Sequence, residues 1–367
     1  MRNVLVSGAG VAGSAVAYWL TRNGFSVTVV ERASEPRQGG QAIDVRGVAL
    51  DVVDRMGLGS QMRAARTRMR GMSMLDRDGN EMFRSEEIAF SSGRLDSEDV
   101  ELLREDLTEM IYEATKDRVE YVFNDAITAL HEEDHGVRVE FEKGGFRTFD
   151  FVIGADGMHS SVRRLAFGPE ENYVRHLGSY VAVFPSPNFL GLDNWQMWIQ
   201  DQETGTGGGI YPVRDNTELR ATFGFSSDQL EYDYRDIEQQ KKLMADRLAH
   251  LGWEMPKFLA VMKDAPNFYF DAMAQIHMDK WSIGRVALVG DAAYCASVLS
   301  GQGTSIALVG AYILAEELGK ADHSEAFAAY ERRMRPYVAL NQALATENAG
   351  APASEESMEK AKNAIAL

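Results

Sequence analysis

The chain has 367 residues, 45% of them hydrophobic and 25% charged, with a net charge of −17 and a single cysteine, Cys295. That length exceeds what one hydrophobic core normally supports, so two domains are expected. The acidic balance argues against nucleic acid and anionic membrane as partners, and a lone cysteine excludes an intrachain disulfide or a multi-cysteine metal site.

An anionic ligand on such a chain must be held by placed arginines and helix N-termini rather than by the overall field. The apolar N-terminal stretch carries structured glycine spacing and no processing site. No run reaches the ~18 apolar residues of a membrane span. The sequence therefore reads as a soluble, cytoplasmic protein. Oligomeric state leaves no mark on it.

Residues 3–7 (NVLVS) form a predicted strand, followed by Gly8, Gly10 and Gly13 in a G-x-G-x-x-G and then a helical run to residue 23. Gly24 sits where a helix C-terminal glycine belongs. A second strand, 27–30, ends at Glu31, 18 positions after Gly13. Strand, glycines, helix, strand and acid in this register are a dinucleotide fingerprint. Gly8 makes the tight turn, Gly10 admits a pyrophosphate to the backbone, and Gly13 lets the helix pack close to the sheet. The helix N-terminus offers free N–H groups to the phosphates, and Glu31 offers an acceptor to the ribose hydroxyls. This much does not separate NAD from FAD.

Further along, Arg46 follows a predicted strand in AIDVRG and is expected near the ligand. Residues 72–75 with Asp78-Gly79 read as a hairpin. Arg104 lies in DVELLREDLTEMIYEAT, where Leu102, Leu103, Leu107, Met110 and Ile111 recur at helical spacing. The strand 151–154 ends in Asp156-Gly157, with Ser160 and Arg163 at a helix start. A strand at 285–289 ends in Gly290-Asp291 and leads through Gly301-Gln302-Gly303 into a helix closed by Gly319. Ligands of open α/β sheets gather at the carboxyl ends of strands, so these ends surround one long molecule.

Between residues 180 and 225 the pattern alternates: YVAVF, WQMWIQ, GGIYPV and LRATFGF read as strands, with 204–209 as a hairpin turn. Phe223 and Phe225 share one face, as do Trp195 and Met197, with Gln196 and Trp198 on the other. Met197, Tyr211, Phe223, Phe225 and Val298 are expected to line a pocket for a planar, largely apolar substrate. Helical stretches follow at 237–251 and 253–261. The histidines show no metal spacing. No residue identifies itself as a general acid or base.

Taken jointly and in this order, Gly8/Gly10/Gly13 with Glu31, Arg104, Asp156-Gly157 and Gly290-Asp291 resemble the FAD-dependent aromatic monooxygenases of the para-hydroxybenzoate hydroxylase type. The phrase GDAAYCASVLSGQGTSIALVGAYILAEEL is most similar to the branch holding tetracycline-inactivating and polyketide-modifying enzymes. The resemblance covers residues 3 to about 337.

It implies an α/β fold, a Rossmann-like FAD-binding domain with an inserted β-sheet substrate domain. The boundaries it suggests are 1–71, 95–172 and 276–345 for FAD, 72–94 and 173–275 for the substrate sheet, and 346–367 for a linker and C-terminal helix. It implies that Asp291 holds a ribityl hydroxyl, that Arg104 reaches the ribityl–pyrophosphate region, and that Asp156 and Gly157 serve FAD and a transient NADPH or NADH. Ala12 belongs to the glycine fingerprint, and Arg32 falls near the adenosine. The helix start at Gly301, Gly303 and Thr304 aims its dipole at the flavin's pyrimidine edge. The implied reaction hydroxylates a small aromatic or polycyclic, polyketide-like substrate with molecular oxygen, through a flavin hydroperoxide. A flavin-dependent reductase or dehydrogenase on the same scaffold is the alternative, and a non-catalytic flavin-binding protein the third. Two departures stand out: Tyr294 where the family often has histidine, and Ala296, Ser297 and Val298 where prolines are common.

Overall fold

The computed structural model describes residues 2–36, 39–90, 93–348 and 353–367. Its first layer is a six-stranded sheet. The apolar strand Asn3–Ser7 is central, paired in parallel with Ser26–Glu31 on one side and Phe151–Gly154 on the other. Glu120–Phe123 extends it beyond Ser26–Glu31, and Val286–Leu288 with Ser282–Ile283 extends it beyond Phe151–Gly154. Both faces are covered, so these strands are continuous apolar runs: Val4, Leu5, Val6, Val152 and Ile153 are all fully buried. The helix Val11–Arg22 packs on the long helix Gly303–Lys320. That helix runs through Gly319 instead of stopping at it. A Cβ there would stand 3.2 Å from the Asn23 side chain, so the glycine serves close helix approach.

Three strands absent from the sequence reading, Ile127–Glu133, Gly136–Phe141 and Phe146–Phe149, form an antiparallel meander leading into the strand at 151. The run ahead of Arg104 also differs from expectation. Val100–Leu103 is a strand, paired with Ala42–Val45, and the helix begins at Arg104. All four strand residues are buried, and burial on both sides erases the alternation by which a strand is recognised.

The second sheet has seven strands, in the spatial order Tyr269–Ile276, Val174–Pro187, Glu218–Ser226, Thr206–Val213, Trp195–Asp201, Gly71–Leu75 and Glu81–Ser85. Residues 206–209, read as turn, belong to a strand. A side chain on Gly208 would collide with the Thr222 carbonyl and with Phe223, and one on Gly209 with the Trp198 ring on the opposite face. The helices Ile237–Leu248 and Met255–Asp264 cover one face, giving a second apolar core around Phe184, Phe223, Met244 and Phe258. The chain closes with the helix Glu355–Lys362. Residues 349–352 of the expected linker lie outside the described residues. No described helix is long and apolar enough to cross a membrane.

Candidate cofactor and substrate site

The glycine fingerprint is built as the sequence dictates. Gly8 holds φ +100°, and a Cβ there would sit 2.6 Å from the Ala155 carbonyl oxygen. A Cβ on Gly13 would fall on the Gly8 carbonyl oxygen, so the helix can start this close to the strand only with glycine. Gly10 is different: no atom lies within 4 Å of a Cβ there. It caps Val11–Arg22 without a side-chain hydrogen bond, leaving the N-terminal N–H groups directed outward. Glu31 accepts the Ala9 N–H at 2.8 Å and the Ala33 N–H at 2.9 Å, which fixes its carboxylate beside the glycine turn.

Asp291 opens the short turn of helix after Gly290, whose φ of +65° and missing side chain let Ala12 approach to 2.9 Å of the Cβ position. This brings Ala12, Gly290 and Asp291 together. The Asp291 carboxylate is exposed and 4.0 Å from the Cβ position of Gly303. Protein enclosing it on its other sides raises its pKa, offset by the Cys295 thiol and the Arg104 charge. Gly303–Lys320 begins there with no side-chain cap, as Gln302 makes none. Gly301 (φ +61°), Gly303 and the half-buried Thr304 form this helix mouth.

Arg104 lies flush on Gly40, 2.7 Å from the Cβ position, and donates Nη2–H to the Gly39 carbonyl at 3.0 Å. Arg46 donates its backbone N–H to Ser305 Oγ at 3.0 Å, tying the strand Ala42–Val45 to the same helix mouth. Its guanidinium stands 3.8 Å from the Gly301 Cβ position and 2.9 Å from the Asp44 carboxylate. Burial raises the Asp44 pKa to about 7, with Arg46 opposing the shift. Asp44 Oδ1 is buried with no hydrogen-bond partner. Asp44 is not among the residues the sequence singles out; it stands on the strand Ala42–Val45, two residues before Arg46, which follows the strand's end.

Other expected residues divide. Asp156 accepts Ser160 Oγ–H, the Ser161 N–H at 2.8 Å and the Val162 N–H at 3.1 Å, so its carboxylate caps the helix Ser161–Phe167. Gly157, at φ +81° with nothing near its Cβ position, is the open part of that turn. Arg32 is exposed just beyond the second strand. Two residues beyond Gly157, His159 bonds Glu170 at 2.7 Å and Asp271 at 3.2 Å. These two carboxylates hold its imidazolium to a pKa of about 10, despite opposing burial.

The substrate-lining expectation needs correction for Met197, Phe223 and Phe225. The alternation is as read, but this face is the one covered by helices: Phe223 is 0% and Phe225 2% exposed, and Met197 packs on the same cluster. Alternation assigns residues to faces and cannot say which face receives helices. The opposite face carries Gln196, Trp198, Tyr211 and Arg220. Tyr211 is buried, with its hydroxyl oxygen accepting the Ala42 N–H at 2.8 Å, so it seats the sheet against the first layer. Trp198 donates Nε1–H to Gln196 Oε1 at 3.0 Å and packs on Phe90, centroids 4.5 Å apart. Phe90 (42%), Val298 (50%) and Leu299 (45%) are exposed apolar side chains of the kind a ligand covers. Tyr294 points away from the crevice into the core, where its hydroxyl fills the space over Gly310 and receives the Tyr330 O–H at 2.9 Å.

The donor set fits FAD. Two uncapped helix mouths at Gly10 and Gly303, an open Cβ position at Gly10, the exposed Asp291 carboxylate and the partnerless Asp44 oxygen suit one extended, phosphate-bearing molecule. No group of three or more His, Cys, Asp or Glu among the described residues could hold a metal ion.

Residues 1–343 match the family model described as "FAD binding domain". The chain is 52% identical, over all of its length and 99% of the relative's, to an uncharacterized protein of Mycobacterium tuberculosis. It is 40% identical to a flavin-dependent monooxygenase from an unknown prokaryotic organism, covering 100% of this chain and 98% of that one. Among solved structures, the tetracycline destructase Tet(51) superposes with a TM-score of 0.89 at 34% identity, covering 100% of this chain and 99% of the other.

Proposed function

The chain belongs to the FAD-binding family of flavin-dependent monooxygenases, and from that premise we propose that it hydroxylates a planar polycyclic substrate of the tetracycline type at the expense of NADPH or NADH. The observation that carries the cofactor placement is the convergence of Asp291, Gly290 and Ala12 at the mouth of Gly303–Lys320. The first sheet with its helices, residues 1–71, 95–172 and 276–345, serves as the FAD domain. The second sheet, residues 72–94 and 173–275, serves as the substrate domain, and 346–367 closes the chain.

In this reading the N–H groups beyond Gly10 and the Arg104 guanidinium bind the pyrophosphate, while Glu31 takes the adenosine ribose, with Arg32 nearby. Asp291 accepts from the ribityl chain, and the Asp44–Arg46 pair faces the ring. Backbone donors from Gly301 to Thr304 place a positive dipole end at the ring edge that becomes negative on reduction. Gly157 in its open turn borders the path of the reductant. Bound FAD supplies the activation of molecular oxygen. The protein's own part is to orient the substrate ring and exclude water, for which Phe90, Trp198 and Val298 are the apolar surfaces at hand. The reductant binds transiently, as the chain carries one dinucleotide fingerprint. The work is done in the cytoplasm.

The test is an absorbance spectrum of the purified protein, then NADPH oxidation with and without tetracyclines and anthraquinones. A flavin spectrum, substrate-stimulated oxidation and a product heavier by one oxygen atom are expected. Stimulated oxidation with a product of unchanged oxygen content would instead identify a reductase.

A further inference from the structure

The segment RAARTRMR carries four arginines in eight residues, in a chain of net charge −17. Two are accounted for: Arg63 pairs with Asp54 at 2.7 Å and Arg70 with Asp193 at 3.1 Å. The two between them are not. Arg66 makes one long contact, Nη2–H to the Asp99 carbonyl at 3.4 Å, and Arg68 has no acidic partner among the described residues.

Arg66 and Arg68, with Arg94, line a cavity of about 200 Å³. Of its acidic wall residues, Asp99 is taken up by Lys362 Nζ at 2.9 Å and the Gly47 N–H at 3.1 Å, and Glu101 by the Thr67 hydroxyl. Arg94 is held by Asp96 in a bidentate pair at 2.8 and 2.9 Å, which fixes the direction of its remaining donors. The cavity adjoins the cofactor site, since the neighbouring Gly93 has its Cβ position 4.0 Å from Arg46 Nη1. A molecule anchored by one end here can present its other end beside Arg46.

We propose that this cavity is an anion site for the 2′-phosphate of the phosphorylated nicotinamide dinucleotide, so that Arg66 and Arg68 set a preference for NADPH over NADH. The inference rests on the reductant assigned above. A terminal phosphate carries close to two charges and three acceptor oxygens, which suits converging guanidinium groups. The bridging pyrophosphate, common to both nucleotides, gives no basis for choosing between them. Against the chain's overall negative field, such a group is retained only where arginines are left without acids.

The decisive experiment compares kcat/KM for NADPH and NADH in the holoenzyme and in R66A/R68A, with R70A as a control that removes a like charge outside the cavity. Binding of 2′-AMP and of adenosine to the same proteins is measured by calorimetry. The NADPH/NADH ratio is expected to fall about tenfold or more in R66A/R68A and to hold in R70A. The holoenzyme is expected to bind 2′-AMP over adenosine, and R66A/R68A to lose that difference. An unchanged ratio in R66A/R68A, an equal fall in R70A, or no preference for 2′-AMP overturns the site. If neither nucleotide is oxidised, the reductant assignment fails by itself, and the 2′-AMP titration still decides whether the cavity recognises a phosphate.

Discussion

Asp44, on the short strand Ala42–Val45, and Arg46, just past its end, meet in a buried ion pair of 2.9 Å, and the second Asp44 oxygen has no partner. Burial outweighs the Arg46 charge and raises the Asp44 pKa from 3.8 to about 7. An acid with a raised folded-state pKa binds more protons folded than unfolded between those values, so its contribution to stability is present below pH ~4 and is lost by pH ~7. For the apoprotein, Asp44→Asn is expected to remove this slope. The difference in unfolding free energy between the two proteins should shift in favour of the variant by up to about 4 kcal/mol from pH 4 to 7. Parallel urea-unfolding curves across that range would place the titration elsewhere.

Asp291→Ala is expected to weaken FAD retention, because in the proposed placement it removes the ribityl acceptor at the mouth of the helix Gly303–Lys320. A lost hydrogen bond to a charged group costs about 1.5–3 kcal/mol, or a roughly ten- to hundredfold rise in Kd. Flavin fluorescence titration of the apoprotein measures it. A variant that purifies fully yellow and binds FAD as tightly as the native chain would remove Asp291 from the site.

Phe223 and Trp198 lie over adjacent glycines on opposite faces of the second sheet, and their alanine variants should separate cleanly. Phe223→Ala empties a fully buried position among Phe184 and Phe258. It is expected to cost about 3–5 kcal/mol of stability and to leave substrate affinity comparatively unaffected. Trp198→Ala is expected to do the reverse, raising KM for a polycyclic substrate with a small change in melting temperature. Equal stability losses in both would make Trp198 another core residue.

What the sequence revealed follows from how local each signal is. The glycines at 8, 10 and 13 and the acid at Glu31 belong to one strand–helix–strand unit, whose spacing fixes its geometry before any tertiary contact forms. Asp291 is conspicuous for the same reason, as a charged residue between a buried strand and a glycine-rich helix start. Phe223 lies on the helix-covered face instead of the expected pocket because alternation defines two faces, and only the packing of Met255–Asp264 decides which is inside. Val100–Leu103 was hidden by its burial on both sides. Asp44 carries no signal in the sequence because its meaning depends on Arg46, Ser305 and Gly301, residues that only the folded chain assembles.

Gly10 and Gly13, three residues apart, are glycines for different reasons, and alanine at each should show it. At Gly13 a Cβ would overlap the Gly8 carbonyl oxygen, so Gly13→Ala must push the helix Val11–Arg22 off the strand. It is expected to lower stability by more than the ~1 kcal/mol that alanine gains over glycine in a helix, whether or not FAD is present. Gly10 has φ −75°, which alanine adopts without strain, and no atom lies within 4 Å of its Cβ position. Gly10→Ala should therefore leave the apoprotein's melting temperature within a degree or two (roughly 0.5 kcal/mol) while weakening FAD at least tenfold, because the methyl group stands where the pyrophosphate must approach the backbone. Thermal melts of apoprotein and holoprotein read both effects in one measurement. A Gly10→Ala protein that is stabilised by FAD as much as the native chain would mean that the phosphates do not lie at this helix N-terminus.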